Sequence, residues 1–427
     1  MPTEMNRRQF LDLAAASAAG IALTQPASAQ ESKSPSEKVI VGVMGLSRGR
    51  SVAATFANQP NVEVRYVCDV DSTRATACAE EIGKISGTPP KAIGDFRNIL
   101  DDPEVTALVC AAPNHWHAPA TILGCSAGKH VYCEKPCSHN PREAELMVEA
   151  SHKYNRAVQI GTQRRSSVNI RAAMDLLHSG AIGRVYSSRA TYAGLRKSIG
   201  RGKPADVPTT LNYDLWQGPA PRVPYVDNRI PYNWHWFWHW GNGELGNNGV
   251  HTLDLCRWGL GVDFPIYVTS AGGRYAFEDD QETADTHTVA FEFADRKMIT
   301  WQDHSCNEFG QDFVNFYGET GTLTLTGNGD YSVYDANNTL VSSSNGELGE
   351  AEHVIDFLNA IRNDTPTKLN CGIDQAYQST ILCHLGNIAQ RTHRALHCDP
   401  SNGHILNDPE AMALWERAYE PGWEPKV

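Results

Sequence analysis

The sequence predicts an α/β protein of two domains, and three features predict it. A nearly continuous apolar run, KVIVGVM, ends at Gly45, as a strand covered on both faces of a parallel sheet does. A second run, VEVRYVCDVD, follows one helix-length later and carries Asp69 at its end. Far downstream, HTVAFEFADRKMITWQDH alternates apolar and polar residues around a turn near Asp295, as strands with one buried face do. A chain of 427 residues is too long for one ordinary core. The expected division is a doubly wound parallel sheet over 38–157 and a second α/β domain over 158–427.

The amino terminus, NRRQFLDLAAASAAGIALTQPASAQ, pairs Arg7 and Arg8 with Phe10 and Leu11, an alanine-rich core and a small-x-small end at Ala27-Ser28-Ala29. It reads as a twin-arginine export signal over 1–29, recognised by the Tat machinery, with a polar tether over 30–37. A periplasmic location is the expectation. The apolar run from Leu13 to Leu23 falls short of the roughly 20 residues that cross a bilayer, so no integral span is expected. Losing the signal removes Arg7, Arg8, Glu4 and Asp12, which leaves the formal charge of -12 unchanged. So acidic a chain suits neither nucleic acid nor an anionic membrane surface. The 11 cysteines show no CxxC spacing and several sit in apolar runs, so buried thiols are expected.

After the first strand, GLSRGRSVAATFANQ is a glycine turn passing into a helix. Strand, turn, helix and a strand ending in an acid form the dinucleotide-binding arrangement: the helix amino terminus takes the pyrophosphate, and the carboxylate takes ribose hydroxyls. Gly45 occupies the first position of GxGxxG, Ser47 and Arg50 stand at the second and third, and Gly49 is adjacent. Gly45, Ser47, Arg48, Gly49 and Asp69 are the cofactor candidates from this unit. Asp69 favours NAD by repelling the extra phosphate of NADP, while Arg48, Arg50 and Arg74 are cations that keep NADP open. Helices over 73–85, 96–100 and 118–127, a strand over 106–112 and the strand of KHVYCEKP continue the alternation.

VCAAPNHWH, HVYCEKP and the later GNGELGNNGVHTLD together resemble the glucose–fructose oxidoreductase, inositol dehydrogenase and MocA family. The resemblance spans essentially the whole chain after the signal, and NWHWFWHWGNGELGN further resembles exported members. It implies a Rossmann domain followed by a domain with a large open, mainly antiparallel sheet, which commonly builds a homodimer or homotetramer. VQIGTQRR, a helix over 170–178, the strands of VYSSRATYAG, the meander FVNFYGETGTLTLTGNGDYSVYD and helices over 353–362 and 375–394 agree. The cofactor implied is NAD, with NADP the alternative, and the substrate is a sugar or sugar derivative.

Residue by residue, Lys135 matches the family's lysine beside the nicotinamide and the reacting carbinol. Glu134, Pro113, Asn114, His117 and Gln163 are expected around the same end of the cofactor. His251 matches the family's acid/base, a role that suits an imidazole because it titrates near neutrality. Asp254, three residues on, would share its helix face and could orient the ring. Asn247 stands where sugar dehydrogenases of the family often carry an aspartate; it can hold a hydroxyl but cannot take a proton.

In an extended chain Trp234, Trp236, Trp238 and Trp240 would point one way, and His235 and His239 the other. Trp234, Trp236, His235 and His239 are therefore candidates to floor a sugar pocket. His115, His117, His235 and His239 have chelating spacings, but no Cys or carboxylate cluster accompanies them, and no metal is expected. The function expected is NAD(P)-dependent oxidation of a sugar, with a tightly bound cofactor recycled by a second substrate, because free cofactor is scarce outside the cytoplasm. The alternatives are glycoside cleavage by transient C3 oxidation and elimination, and sugar binding without catalysis.

Overall fold

The structure is a computed structural model that describes residues 38–309 and 313–427; the signal and tether expected over 1–37 lie outside the described residues. Six strands form the first sheet: β1 (Val39–Met44), β2 (Val62–Cys68), β3 (Lys91–Ile93), β4 (Ala107–Cys110), β5 (His130–Cys133) and β6 (Val158–Ile160). All pair in parallel, in the order β3-β2-β1-β4-β5-β6. Every residue of β4 and β5 is buried, which is why these strands read as unbroken apolar runs. The order reverses between β1 and β4, and the carboxyl edge there is where doubly wound sheets bind ligands.

The expected boundary after residue 157 falls too early. Val158–Ile160 completes the parallel sheet by pairing with β5. The chain also returns to this sheet near its end. Helix Glu350–Arg362 buries Val354, Phe357 and Leu358 in one core with β1, and Phe357 meets Phe56 edge-on at 6.2 Å.

The second sheet has ten strands. They are β7 (Val185–Leu195), β8 (Tyr267–Gly273), β9 (Thr286–Phe293), β10 (Lys297–His304), β11 (Cys306–Asn307), β12 (Val314–Gly318), β13 (Gly321–Leu325), β14 (Tyr331–Asp335), β15 (Leu340–Ser344) and β16 (Leu396–His397). The main path runs β15-β14-β13-β12-β7-β10-β9-β8-β16, with β11 paired to β7. Only β10 with β7 is parallel. Alternate residues such as Val289, Phe291, Ile299 and Trp301 face helices Val168–His178, Val250–Leu260 and Ile373–Thr392 across one core.

Between β7 and helix Val250–Leu260 the chain makes a long excursion with its own small core of Trp216, Trp234, Phe237 and Trp240. It crosses to the first sheet and is tied there by backbone bonds, Ser72 N–H to the Thr210 carbonyl at 3.0 Å and Asn212 N–H to the Val70 carbonyl at 2.8 Å. The cysteines are free thiols, ten buried and Cys306 partly so. Among the described residues no helix is long and apolar enough to cross a membrane.

Candidate functional site

The turn after β1 is shaped by what a side chain would hit. Gly45 has φ +84°, and a Cβ there would lie 2.5 Å from the Ala112 nitrogen in the loop after β4. Only glycine tolerates both the left-handed conformation and that approach. Helix Arg48–Ala57 then starts at the cleft with Ser47 as its N-cap, and the Ser47 side chain caps nothing. The first N–H groups are thus left for an anion, and the helix dipole favours one. Gly49 is corrected: it faces the sheet, where a Cβ would come 3.2 Å from Val43 Cγ1 and Ala111 Cβ. It therefore serves helix–strand packing, the third glycine's task displaced by one residue.

At the end of β2, Asp69 accepts the Leu46 N–H at 2.8 Å and the Asp71 N–H at 2.9 Å. Burial raises its pKa, and these amide bonds oppose the rise. Arg74 lines the same end of the cleft, whereas Arg50 pairs with Glu81 outside it. The cradle at Gly45, the uncapped helix and Asp69 fit a dinucleotide, with the carboxylate placed to receive ribose hydroxyls.

The cleft, about 550 Å³, runs from Asp69 to His251. Along it, Pro113 and Asn114 follow β4, and Asn114 Nδ2 donates to Asn242 Oδ1 at 2.9 Å. The Lys135–Pro136 peptide is cis. The buried His117 ring lies 2.6 Å from the Pro136 carbonyl and 2.7 Å from the Ala112 carbonyl, so it ties the two strand-end loops together. Glu134 accepts Gln163 Nε2 at 3.0 Å and Arg48 Nε at 3.4 Å.

Lys135 Nζ donates to the Asn247 carbonyl at 2.8 Å and to its Oδ1 at 3.2 Å. An ammonium has three donors, so one is left for a substrate oxygen. Burial lowers its pKa from the usual amine value, opposed by Glu134 and Glu244. Asn247 lies in a π-helical turn, Leu245–Gly249, that runs straight into helix Val250–Leu260. Its Nδ2 donates to the buried Glu244 at 3.1 Å. Glu244 in turn pairs with Arg196 at 3.1 Å. His251 opens the following helix and lines the cleft. Burial, then the charges of Arg164, Lys135 and Arg48, hold its pKa well below 6.5, so at neutral pH it is a free base.

Three substrate candidates are corrected. Asp254 is fully enclosed: both oxygens bind Arg165, at 2.8 and 2.9–3.0 Å, and Ser379 Oγ donates at 2.6 Å. It holds the helix down and touches no cleft surface. The chain over Asn233–Trp236 coils as a 3₁₀ turn, so the expected alternation of faces is lost. Trp236 is buried beneath the Arg196 guanidinium, 5.3 Å from its ring centroid. His239 turns away to the Pro221 carbonyl at 2.8 Å. Trp234 and His235 do face the cleft, stacked with centroids 3.6 Å apart.

Both ring nitrogens of His117 and one each of His115, His235 and His239 lie against backbone carbonyls. Among the described residues no group of three or more His, Cys, Asp or Glu could hold a metal. Sequence reasoning missed Arg164, Glu244, Glu350 and the excursion's Leu211 and Trp216. Arg164 was findable, since QIGTQRR ends β6 at the same carboxyl edge as Gly45 and Lys135.

Comparisons with known proteins bear on the family and the fold. Residues 37–162 match the oxidoreductase family's NAD-binding Rossmann fold, and residues 189–425 match its C-terminal alpha/beta domain. A levoglucosan dehydrogenase from Pseudarthrobacter phenanthrenivorans is 28% identical over 225 residues, 52% of this chain and 49% of that protein. An inositol 2-dehydrogenase from Salmonella typhimurium is 30% identical over 144 residues, 34% of this chain and 41% of that protein. The chain thus spans about half the length of the curated relatives it matches. Among solved structures, levoglucosan dehydrogenase in complex with NADH and levoglucosan has TM-score 0.66 at 20% identity, covering 84% of this chain and 99% of that one. The WlbA dehydrogenase from Bordetella pertussis, with NADH and UDP-GlcNAcA, has TM-score 0.64 at 19% identity, covering 85% and 99%. The chain belongs to the Gfo/Idh/MocA family of oxidoreductases, an NAD-binding Rossmann domain followed by the family's C-terminal α/β domain.

Proposed function

We propose that the protein is an NAD(P)-dependent oxidoreductase of a sugar or sugar derivative, with NAD preferred through Asp69. The observation that carries this reading is the convergence of Lys135 and His251 on one end of a dinucleotide cleft. A nicotinamide dinucleotide held by the Gly45 turn, the start of helix Arg48–Ala57 and Asp69 would supply the hydride acceptor at that end. His251, kept neutral, takes the hydroxyl proton of the substrate carbinol. The third donor of Lys135 binds the same oxygen and stabilises its developing negative charge. Asn247 orients that ammonium with two acceptors and is itself fixed by Glu244. Trp234 and His235 offer flat faces to the sugar's C–H surface.

The excursion supports tight retention of the cofactor. Pro208, Leu211 and Leu215 line the cleft, and their segment is bonded to the loop after β2, with Leu211 bridged to Asp71 beside Asp69. Together with the twin-arginine pattern, this fits an enzyme exported to the periplasm with its cofactor aboard and recycled by a second substrate. Assembly as a homodimer or homotetramer through the open sheet belongs to the same reading. Asn247 in place of a carboxylate keeps the glycoside-cleaving alternative in view.

Purified, exported protein should be denatured and its released nucleotide identified by mass, and the native protein incubated with sugars and aryl glycosides. Stoichiometric NAD or NADH, with oxidised sugar formed beyond one equivalent only when an acceptor is added, is the expected result. Aglycone released without an acceptor would move the assignment to glycoside cleavage. Failure to bind NAD or NADP would leave a sugar-binding protein.

A further inference from the structure

Arg164 follows the end of β6 and lines the cleft beside His251. Its guanidinium makes one hydrogen bond, Nη2 to the Gly327 carbonyl at 3.1 Å, and lies 4.8 Å over the Phe313 ring. Its buried Nε has no partner, and among the described residues no carboxylate is within ion-pair distance of it. Phe313 and the Gly327 carbonyl hold the group in place without neutralising it.

Its neighbours leave the charge unanswered. Of the carboxylates near this end, Glu134 and Glu350 are both taken by Arg48, at 3.4 and 2.7 Å, and Glu244 pairs with Arg196 at 3.1 Å. Lys135 is bound only to the neutral Asn247. Among the described residues, Lys135 and Arg164 are therefore the two cations at this end without a charged hydrogen-bond partner; Lys135 is held by Asn247 at the reacting end, and Arg164 is left for an anion. Among charges, Arg164 is the largest contributor to the depressed pKa of His251, so the two lie in the same field. Burial also pushes Arg164 itself down to about 10, the behaviour of a cation short of an anion. Asn247 fits the same pattern, because an aspartate there would set a negative charge against the substrate beside Lys135.

We propose that the substrate is an acidic sugar, and that Arg164 is the specificity-determining residue that receives its carboxylate while Lys135 and His251 act on a carbinol of the same ring. This rests on the oxidoreductase reading. A guanidinium suits the task because its fork matches a carboxylate in two hydrogen bonds.

The test follows the first turnover of the NAD-loaded protein, in which the bound NAD is the oxidant, with pairs of hexuronates and neutral hexoses of the same configuration, such as glucuronate and glucose. A charged hydrogen bond of this kind should raise kcat/KM for the acid by about 10- to 100-fold over its neutral partner. Arg164→Gln should bring the acid:neutral ratio toward one, and Arg164→Lys should restore part of it. NAD affinity and melting temperature report that each variant is folded. Equal or faster turnover of the neutral sugar by the wild type would overturn the proposal. So would an Arg164→Gln variant that loses NAD affinity with its ratio unchanged, since Arg164 would then belong to the pyrophosphate. If neither sugar is oxidised, the oxidoreductase reading fails separately. Calorimetric binding of glucuronate to the loaded protein, lost in Arg164→Gln, would still support the carboxylate site, and its absence would sink it.

Discussion

Two regions enclose the cleft, and they are built on different principles. The carboxyl edge of the parallel sheet is set by backbone: a left-handed Gly45, an uncapped helix start and strand ends that deliver Asp69 and Lys135. The opposite wall, the excursion through Trp216 and Trp234, is set by side chains packing on one another and on a distant loop. The first kind of region states its purpose in local sequence. The second hides it, because a tryptophan that packs and one that binds look alike until their partners are known.

The comparison breaks most readily at Lys135, the strand-end residue assigned to the reacting oxygen. Lys135→Ala should lower kcat by roughly 100- to 1,000-fold, as removal of an oxyanion donor does, while dinucleotide affinity stays within a few-fold. A matching loss of dinucleotide binding would show a cofactor ligand instead. Gly45→Ala comes next. The added methyl meets the loop after β4 at φ +84°, so a stability loss of roughly 1–3 kcal/mol and a much weaker dinucleotide complex are expected from melting and titration.

The wall should divide between neighbouring histidines. His235→Ala removes a cleft face stacked on Trp234 and should raise KM for the sugar up to about tenfold, the scale of one aromatic contact. His239→Ala should leave KM unchanged and cost only stability, since that ring lies on the Pro221 carbonyl. Steady-state kinetics with thermal melts separate the two. The smallest effect is on pH dependence. His251 must be neutral, and its pKa is held well below 6.5, so kcat/KM should stay level as pH falls through 6.5. Lys135 must be protonated, and its pKa is lowered from 10.5, so the alkaline fall should come before pH 10.5. An acid limb centred at 6.5 would mean that His251 is solvated or is not the base.

The same contrast explains what the sequence could reveal. The parallel sheet, the Gly45 turn, Asp69, Lys135 and the helix carrying His251 all follow from short patterns of apolar runs, glycines and strand ends. Gly49 was misplaced because its neighbours are a strand and a loop elsewhere in the chain, which a one-residue shift in the motif conceals. Asp254 sits at helical spacing from His251, but Arg165 and Ser379, far off in sequence, fix it as a buried ion pair. The alternation of the Trp block predicts an extended chain, yet its bulk is satisfied by coiling around Trp240 against Trp216, with centroids 5.2 Å apart. The boundary at 157 missed β6 because a three-residue strand carries little pattern.

The central claim is that Lys135 and His251 address a carbinol whose hydride passes to a nicotinamide in this cleft. The most direct measurement is a single turnover of the NAD-loaded protein with a sugar deuterated at its carbinol carbons, followed by mass analysis of the extracted cofactor. One deuterium on the nicotinamide in the wild type, and none in His251→Ala, is the predicted result. Sugar that binds and is released with its deuterium intact, from a wild-type protein fully loaded with NAD, would contradict the account.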